Sequence, residues 1–212
     1  MSYGYNENED SDENDNPLMA GLWMDDDSLA PPCGCEMEFI PWMLEVAAVQ
    51  SNDTLLDLGA GDGRICRLAC LGYHPPSSPS TLHSCSYSIG VEIEPSACTL
   101  FNSGIIKDDL EGRCFCLNSD LLDINFDKPI QEVEGVTVIT VYLLPEGLVA
   151  IEDKIRAWLN AGEAQGNGGV KRRVVCNTWG FKGWEPSRVV KVEKFNYTEL
   201  FLYDIDSIPL HS

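Results

Sequence analysis

The stretch Asp57-Leu-Gly-Ala-Gly-Asp-Gly-Arg64 holds the densest chemistry in the sequence. It follows an apolar run and precedes a helical segment, the setting that a ligand-cradling loop needs. Gly59 and Gly61 can take positive φ and let a ligand come close to the backbone. The dinucleotide fingerprint G-x-G-x-x-G fails, because its third glycine would fall at Arg64 and stands at Gly63 instead. No G-x-x-x-x-G-K-[ST] phosphate loop is present either. Asp57 suits a cationic ligand better than a pyrophosphate, since a carboxylate there can accept from an α-ammonium. Downstream, Gly90-Val-Glu-Ile-Glu-Pro95 places Glu92, with Glu94 as the alternative, where an acid can accept both hydroxyls of a ribose. In Asn118-Ser-Asp-Leu-Leu-Asp123, Asp120 can accept from an adenine amino group while Leu121 packs on the ring. Each acid alone could be a loop carboxylate or a helix cap. Three of them at successive strand ends, with a glycine loop, read as one site.

Those motifs converge only if the strands that carry them lie side by side, because ligands of open α/β sheets sit across the carboxyl ends of the strands. Strands are expected at 54–58, 87–93, 113–117, 136–144 and 173–179, and a closing hairpin at 191–205. Helices are expected at 39–49, 65–71, 96–106 and 148–159. A Pro/Ser-rich loop is inserted at 74–86, and 162–169 reads as a flexible loop. Alternating strands and helices imply a Rossmann-like, doubly wound α/β sheet of about seven mostly parallel strands with an antiparallel C-terminal hairpin.

The 212 residues carry a formal charge of −20, unevenly spread. Residues 1–63 contain fifteen acids and no Lys or Arg; the remaining 149 hold all fourteen basic residues and nineteen acids, a net of −5. A generic nucleic-acid binder needs a basic surplus, so nucleic acid is not the expected partner. Residues 1–35 read as a poorly ordered acidic arm with an apolar island at Leu18, Met19, Leu22, Trp23 and Met24, either a solvated tail with one docking patch, or a lid over the site or a decoy for a basic substrate. Residues 36–212 read as the domain. The acidic start resembles neither a secretory signal nor a mitochondrial transit peptide, and no apolar run is long enough to span a membrane. The nine cysteines lack the common zinc spacing, so reduced thiols in a cytoplasmic or nuclear protein, without metal, are expected.

Over residues 36–205 the sequence resembles the seven-strand, class I S-adenosylmethionine-dependent methyltransferases. D-L-G-A-G-D-G-R is similar to that family's first motif and G-V-E-I-E-P to its second. More narrowly, F-I-P-W, T-V-Y-L-L-P and R-V-V-C-N-T-W-G-F-K-G-W-E-P resemble the subgroup of lysine methyltransferases acting on the ATP synthase c-subunit and the adenine nucleotide translocase. The resemblance implies S-adenosylmethionine as cofactor, S-adenosylhomocysteine as product, and a cofactor site of Asp57, Gly59, Gly61, Asp62, Glu92, Ile93, Asp120, Leu121 and Tyr142.

The end of the fourth strand bears on the methyl acceptor. Relatives acting on planar amino groups carry [D/N]-P-P-[Y/F] there; this chain has Val141-Tyr-Leu-Leu-Pro-Glu146. An sp³ amine such as lysine fits better. It must lose its proton first, against an ordinary pKa of about 10.4, and aromatic walls that exclude water favour the neutral form. Tyr142 and Glu146 are the candidate catalytic residues, and Phe39, Trp42, Trp179 and Trp184 the candidate substrate walls. The expected partner is therefore a basic or lysine-bearing protein. An RNA or small-molecule methyltransferase, or a cofactor-binding subunit without catalysis, are the alternatives.

Overall fold

The computed structural model describes residues 29–30, 34–164 and 171–209. A single seven-stranded sheet forms the centre, in the order β3-β2-β1-β4-β5-β7-β6. Its strands are β1 (Thr54–Leu58), β2 (Tyr87–Glu92), β3 (Cys114–Asn118), β4 (Val138–Val141), β5 (Arg173–Asn177), β6 (Arg188–Val192) and β7 (Thr198–Tyr203). The first five run parallel, and β7 returns antiparallel between β5 and β6. This is the expected mixed sheet with its C-terminal hairpin. The hairpin starts three residues earlier than the sequence pattern suggests, at Arg188.

The helices are α1 (Ile40–Val46), α2 (Arg64–Leu71), α3 (Pro95–Lys107) and α4 (Pro145–Ala164). Buried residues of α1, α2 and α3 share one apolar cluster, including Met43, Ile65 and Phe101. Those of α4, from Leu148 to Leu159, fill a second on the other face of the sheet. The central strands read as unbroken apolar runs because both faces are covered: all five residues of β1 and all four of β4 are buried. α4 is longer than its periodicity predicts and takes in the first residues of the expected flexible loop.

Most of the acidic arm, with its apolar island, lies outside the described residues. The described part of it packs on the domain. The Leu29 carbonyl accepts from Leu144 N–H at 2.9 Å, and Gly147, where a Cβ would stand 2.5 Å from that same carbonyl oxygen, leaves the room for it. The Cys35 carbonyl accepts from the Arg64 guanidinium at 3.0 Å. Leu29 thus lies by the residues that follow β4, and Cys35 by the start of α2.

The run Lys171-Arg-Arg173 is engaged by the fold. Arg173 pairs with the fully buried Asp53 at 2.5 Å and also donates to the carbonyls of Ala47 and Ala48. Arg172 meets Asp127 at 2.7 Å, and Lys171 meets Asp204 at 2.7 Å. No described helix is long and apolar enough to cross a membrane.

Candidate active site

β1 ends at Leu58 and the chain turns through Gly59, Gly61 and Gly63, all at positive φ, into α2. A side chain at Gly63 would collide with Phe101, whose ring lies 2.0 Å from the ideal Cβ position. At Gly61 the same position meets nothing within 4 Å, so the turn is tight against the core on one side and open on the other.

Asp57 is almost completely buried, at 2% exposure. It lies opposite Thr140 across the β1–β4 pairing, and the Thr140 hydroxyl donates to its carboxylate at 2.7 Å. Burial pushes the Asp57 carboxyl up to about 7; the Thr140 bond lowers it and the nearby Glu92 and Asp62 raise it further. A carboxylate so placed favours a cationic group beside it.

At the tip of β2, Glu92 accepts from Gly61 N–H at 2.7 Å with one oxygen and from Glu94 N–H at 2.9 Å with the other. The second strand end is thereby tied to the glycine turn. Glu94, the alternative ribose acid, instead caps α3 by accepting from Ser96 N–H at 3.2 Å. Ile93 stands 65% exposed beside Glu92, an apolar side chain left in solvent at a strand end. Asp120 caps a short 3₁₀ turn through Leu122 N–H at 2.8 Å, and the half-buried Leu121 begins that turn. Asp62 is held by Arg64 at 2.8 Å, and hydrogen bonds from that guanidinium keep its carboxyl below the usual carboxylate range.

On the other side of β1, Tyr142 follows β4 and its ring stacks on Trp179 after β5, with centroids 6.2 Å apart and planes 17° from parallel. Trp42 is half-buried against the α1–α3 core. Glu146 is exposed in the first turn of α4. Two expected wall residues do not join the stacked pair. Phe39 is 3% exposed and packs edge-on against Phe195 at 5.1 Å. Trp184 is buried under α4 against Phe181 and Tyr203, and its indole N–H donates to Glu152 at 2.8 Å. Both are core aromatics, because aromatic type alone carries no sign of which sheet face or helix a side chain will meet.

Sequence reasoning passed over Thr140, Arg64 and Asn177. The first and last had a readable signal: a polar residue in or just after a strand otherwise filled with apolar ones. Asn177 is buried at the end of β5, and Thr178 beside it has φ +68°. Among the described residues, no group of three or more His, Cys, Asp or Glu is arranged to hold a metal ion.

A sheet ordered 3-2-1-4-5-7-6, with a glycine turn after its first strand and an acid ending its second, is the fold of the class I S-adenosylmethionine-dependent methyltransferases. A protein of Saccharolobus islandicus (strain REY15A) named protein-lysine N-methyltransferase is 27% identical over 164 residues, 77% of this chain and 86% of that one. The solved RNA methyltransferase of Salinibacter ruber, in complex with S-adenosyl-L-homocysteine, is similar with a TM-score of 0.64 at 22% identity, over 84% of this chain and 97% of that one. TrmK of M. capricolum, in complex with S-adenosyl-homocysteine, is similar with a TM-score of 0.50 at 10% identity, over 80% of this chain and 70% of that one. No protein-family model matches the sequence.

Proposed function

We propose that the chain methylates a lysine amine of a protein, with S-adenosylmethionine as the methyl donor. The stacked pair of Tyr142 and Trp179 at the tips of β4 and β5 carries the choice of acceptor. The residues at the strand ends fit the cofactor on their own chemistry. The buried Asp57 carboxylate has the Thr140 hydroxyl as its hydrogen-bond donor, and an ammonium would complete its environment. The open space over Gly61 admits a ligand against the backbone. Glu92 offers acceptors to ribose hydroxyls, with Ile93 exposed next to it to pack on a base. When bound, the cofactor supplies an electrophilic methyl group on a sulfonium.

The remaining work falls to side chains of this chain. Two ring faces attract an ammonium on arrival by about 0.5–2 kcal/mol, then exclude the water that stabilises its charge. The transfer itself is an in-line displacement, in which positioning supplies most of the help. Glu146, exposed in the first turn of α4, receives the ammonium before it enters. The acidic N-terminal stretch speeds encounter with a basic protein, an effect that salt screens.

The charge pattern favours protein over RNA. Seven of the fourteen basic residues lie between 171 and 194, and five of them, Lys171, Arg172, Arg173, Lys191 and Lys194, are paired with acids of the same chain. The test is labelled S-adenosylmethionine added with the protein to a cell extract. Label recovered as methyl-lysine supports the reading. Ribonuclease-sensitive label would replace it with an RNA acceptor, and cofactor binding without any transfer would make the chain a non-catalytic subunit.

A further inference from the structure

β5 ends on a strained turn. Thr178 is β-branched and sits at φ +68°, a region such residues rarely adopt. Trp179 N–H donates to the Asn177 carbonyl at 2.8 Å, closing a γ-turn of the rarer, strained hand. Strain of this kind persists where the surroundings over-determine it, and it clusters at functional sites. Here the strained residue uses its side chain: the Thr178 hydroxyl donates to Asn177 Oδ1 at 3.1 Å.

Asn177 is 4% exposed. One lone pair of Oδ1 receives Thr178, and a carbonyl oxygen has two. Its amide nitrogen faces Cys35 Sγ at 4.0 Å, a weak acceptor. β4 and β5 run parallel with Val141 opposite Cys176, so the next residues, Tyr142 and Asn177, leave the sheet side by side. Side chains alternate across a strand, which puts both on the face that carries Asp57 and Thr140. A hydrogen-bond acceptor with capacity to spare therefore stands beside the aromatic pair.

We propose that Asn177 Oδ1 accepts a hydrogen bond from the substrate amine, and that Thr178 is the positioning residue that fixes its amide. The inference rests on the lysine reading above and names the group that orients the nucleophile. In the transfer, the lone pair of the neutral amine forms the new N–C bond as the C–S bond breaks with its electron pair to sulfur. The alkylated nitrogen then sheds one proton to Glu146 or solvent. A neutral amide suits this step, because it accepts an N–H without adding the negative charge that would hold the amine in its protonated form.

The experiment measures initial rates of methyl-lysine formation in cell extract across the pH range, for the full chain and three variants, with S-adenosylhomocysteine affinity by calorimetry. Asn177→Asp keeps an acceptor but adds charge, so the rising limb of its pH profile should move up by about one unit, with about a tenfold loss near neutrality that recovers at high pH. Asn177→Ala should lose about tenfold or more at every pH while its affinity for S-adenosylhomocysteine stays within about twofold. Thr178→Gly accommodates the turn and removes the whole side chain with its hydroxyl, so its melting temperature should not fall while its rate does; this arm stands even where the buried aspartate prevents folding. An unshifted profile for Asn177→Asp, full activity in Asn177→Ala, or a tenfold loss of S-adenosylhomocysteine affinity would overturn the assignment. Wild-type chain that yields no methyl-lysine overturns the lysine reading itself, and the role of Asn177 with it; variants that fail beside an active wild type concern Asn177 and Thr178 alone.

Discussion

Replacing Asp57 with asparagine separates the charge of this buried group from its shape. In the ligand-free chain, burial raises the Asp57 carboxyl to about 7, against the usual value of 3.8. A ligand ammonium favours the ionised form, so affinity should track the ionised fraction. That fraction falls from roughly nine-tenths one unit above the pKa to just under one-tenth one unit below it, which predicts about a tenfold loss of cofactor affinity between pH 8 and pH 6, where one pKa unit is worth about 1.4 kcal/mol. Asp57→Asn retains the acceptor for Thr140 and loses the charge. Its affinity should be flat over the same interval and, at pH 8, weaker by about 1.5–3 kcal/mol, the worth of a charged hydrogen bond. Stability should move the other way. A carboxyl whose folded pKa is raised stabilises the fold at low pH, and that contribution is lost as pH rises through about 7. At pH 8 the ligand-free variant should therefore melt higher than the wild type. Calorimetric titration with S-adenosylhomocysteine between pH 5.5 and 8.5, with thermal melts at each pH, measures both. A wild-type affinity that does not change with pH, or a variant that keeps the slope, would refute the assignment of the ammonium to Asp57.

Three further outcomes are expected. Glu92→Ala should weaken S-adenosylhomocysteine binding by about 1–3 kcal/mol in calorimetry, since ribose hydroxyls and the Gly61 amide lose their acceptor together. Tyr142→Phe should cost about tenfold or less in turnover and Tyr142→Ala about a hundredfold or more, where 1.4 kcal/mol is a factor of ten; near-normal turnover of the alanine variant would leave Trp179 as the wall. Arg173→Ala strands the buried Asp53 carboxylate and should lower stability by about 3–5 kcal/mol in denaturant melts, with cofactor affinity unchanged in the fraction that remains folded.

The strands were legible because both sheet faces are covered, so β1, β4 and β5 read as apolar runs with a polar residue at the rim. Asp57, Glu92 and the glycine turn were legible for the same reason: each interrupts a buried strand at its end. The aromatic walls were not. Phe39, Trp42, Trp179 and Trp184 look alike in sequence, and only the turn at Thr178 brings Trp179 to Tyr142 while Trp184 falls under α4. Nor was the work of Lys171-Arg-Arg173 visible, because Asp53, Asp127 and Asp204 are far from it in the chain and meet it only through the sheet.

The contact of Leu29 with Leu144 also fixes an order of events at the ribosome. The two residues are 115 positions apart, so the carbonyl of Leu29 emerges long before its donor exists. At 5–20 residues per second the interval is roughly 6–23 s. Arg173 reaches Asp53 later still, across 120 positions. During that time β1, the glycine turn and α2 have been made, but the Leu29 carbonyl has no Leu144 N–H to accept from. The Leu29–Leu144 hydrogen bond and the Asp53–Arg173 pair thus form only after most of the chain has been made, and a nascent chain arrested before β4 carries the glycine turn without either contact.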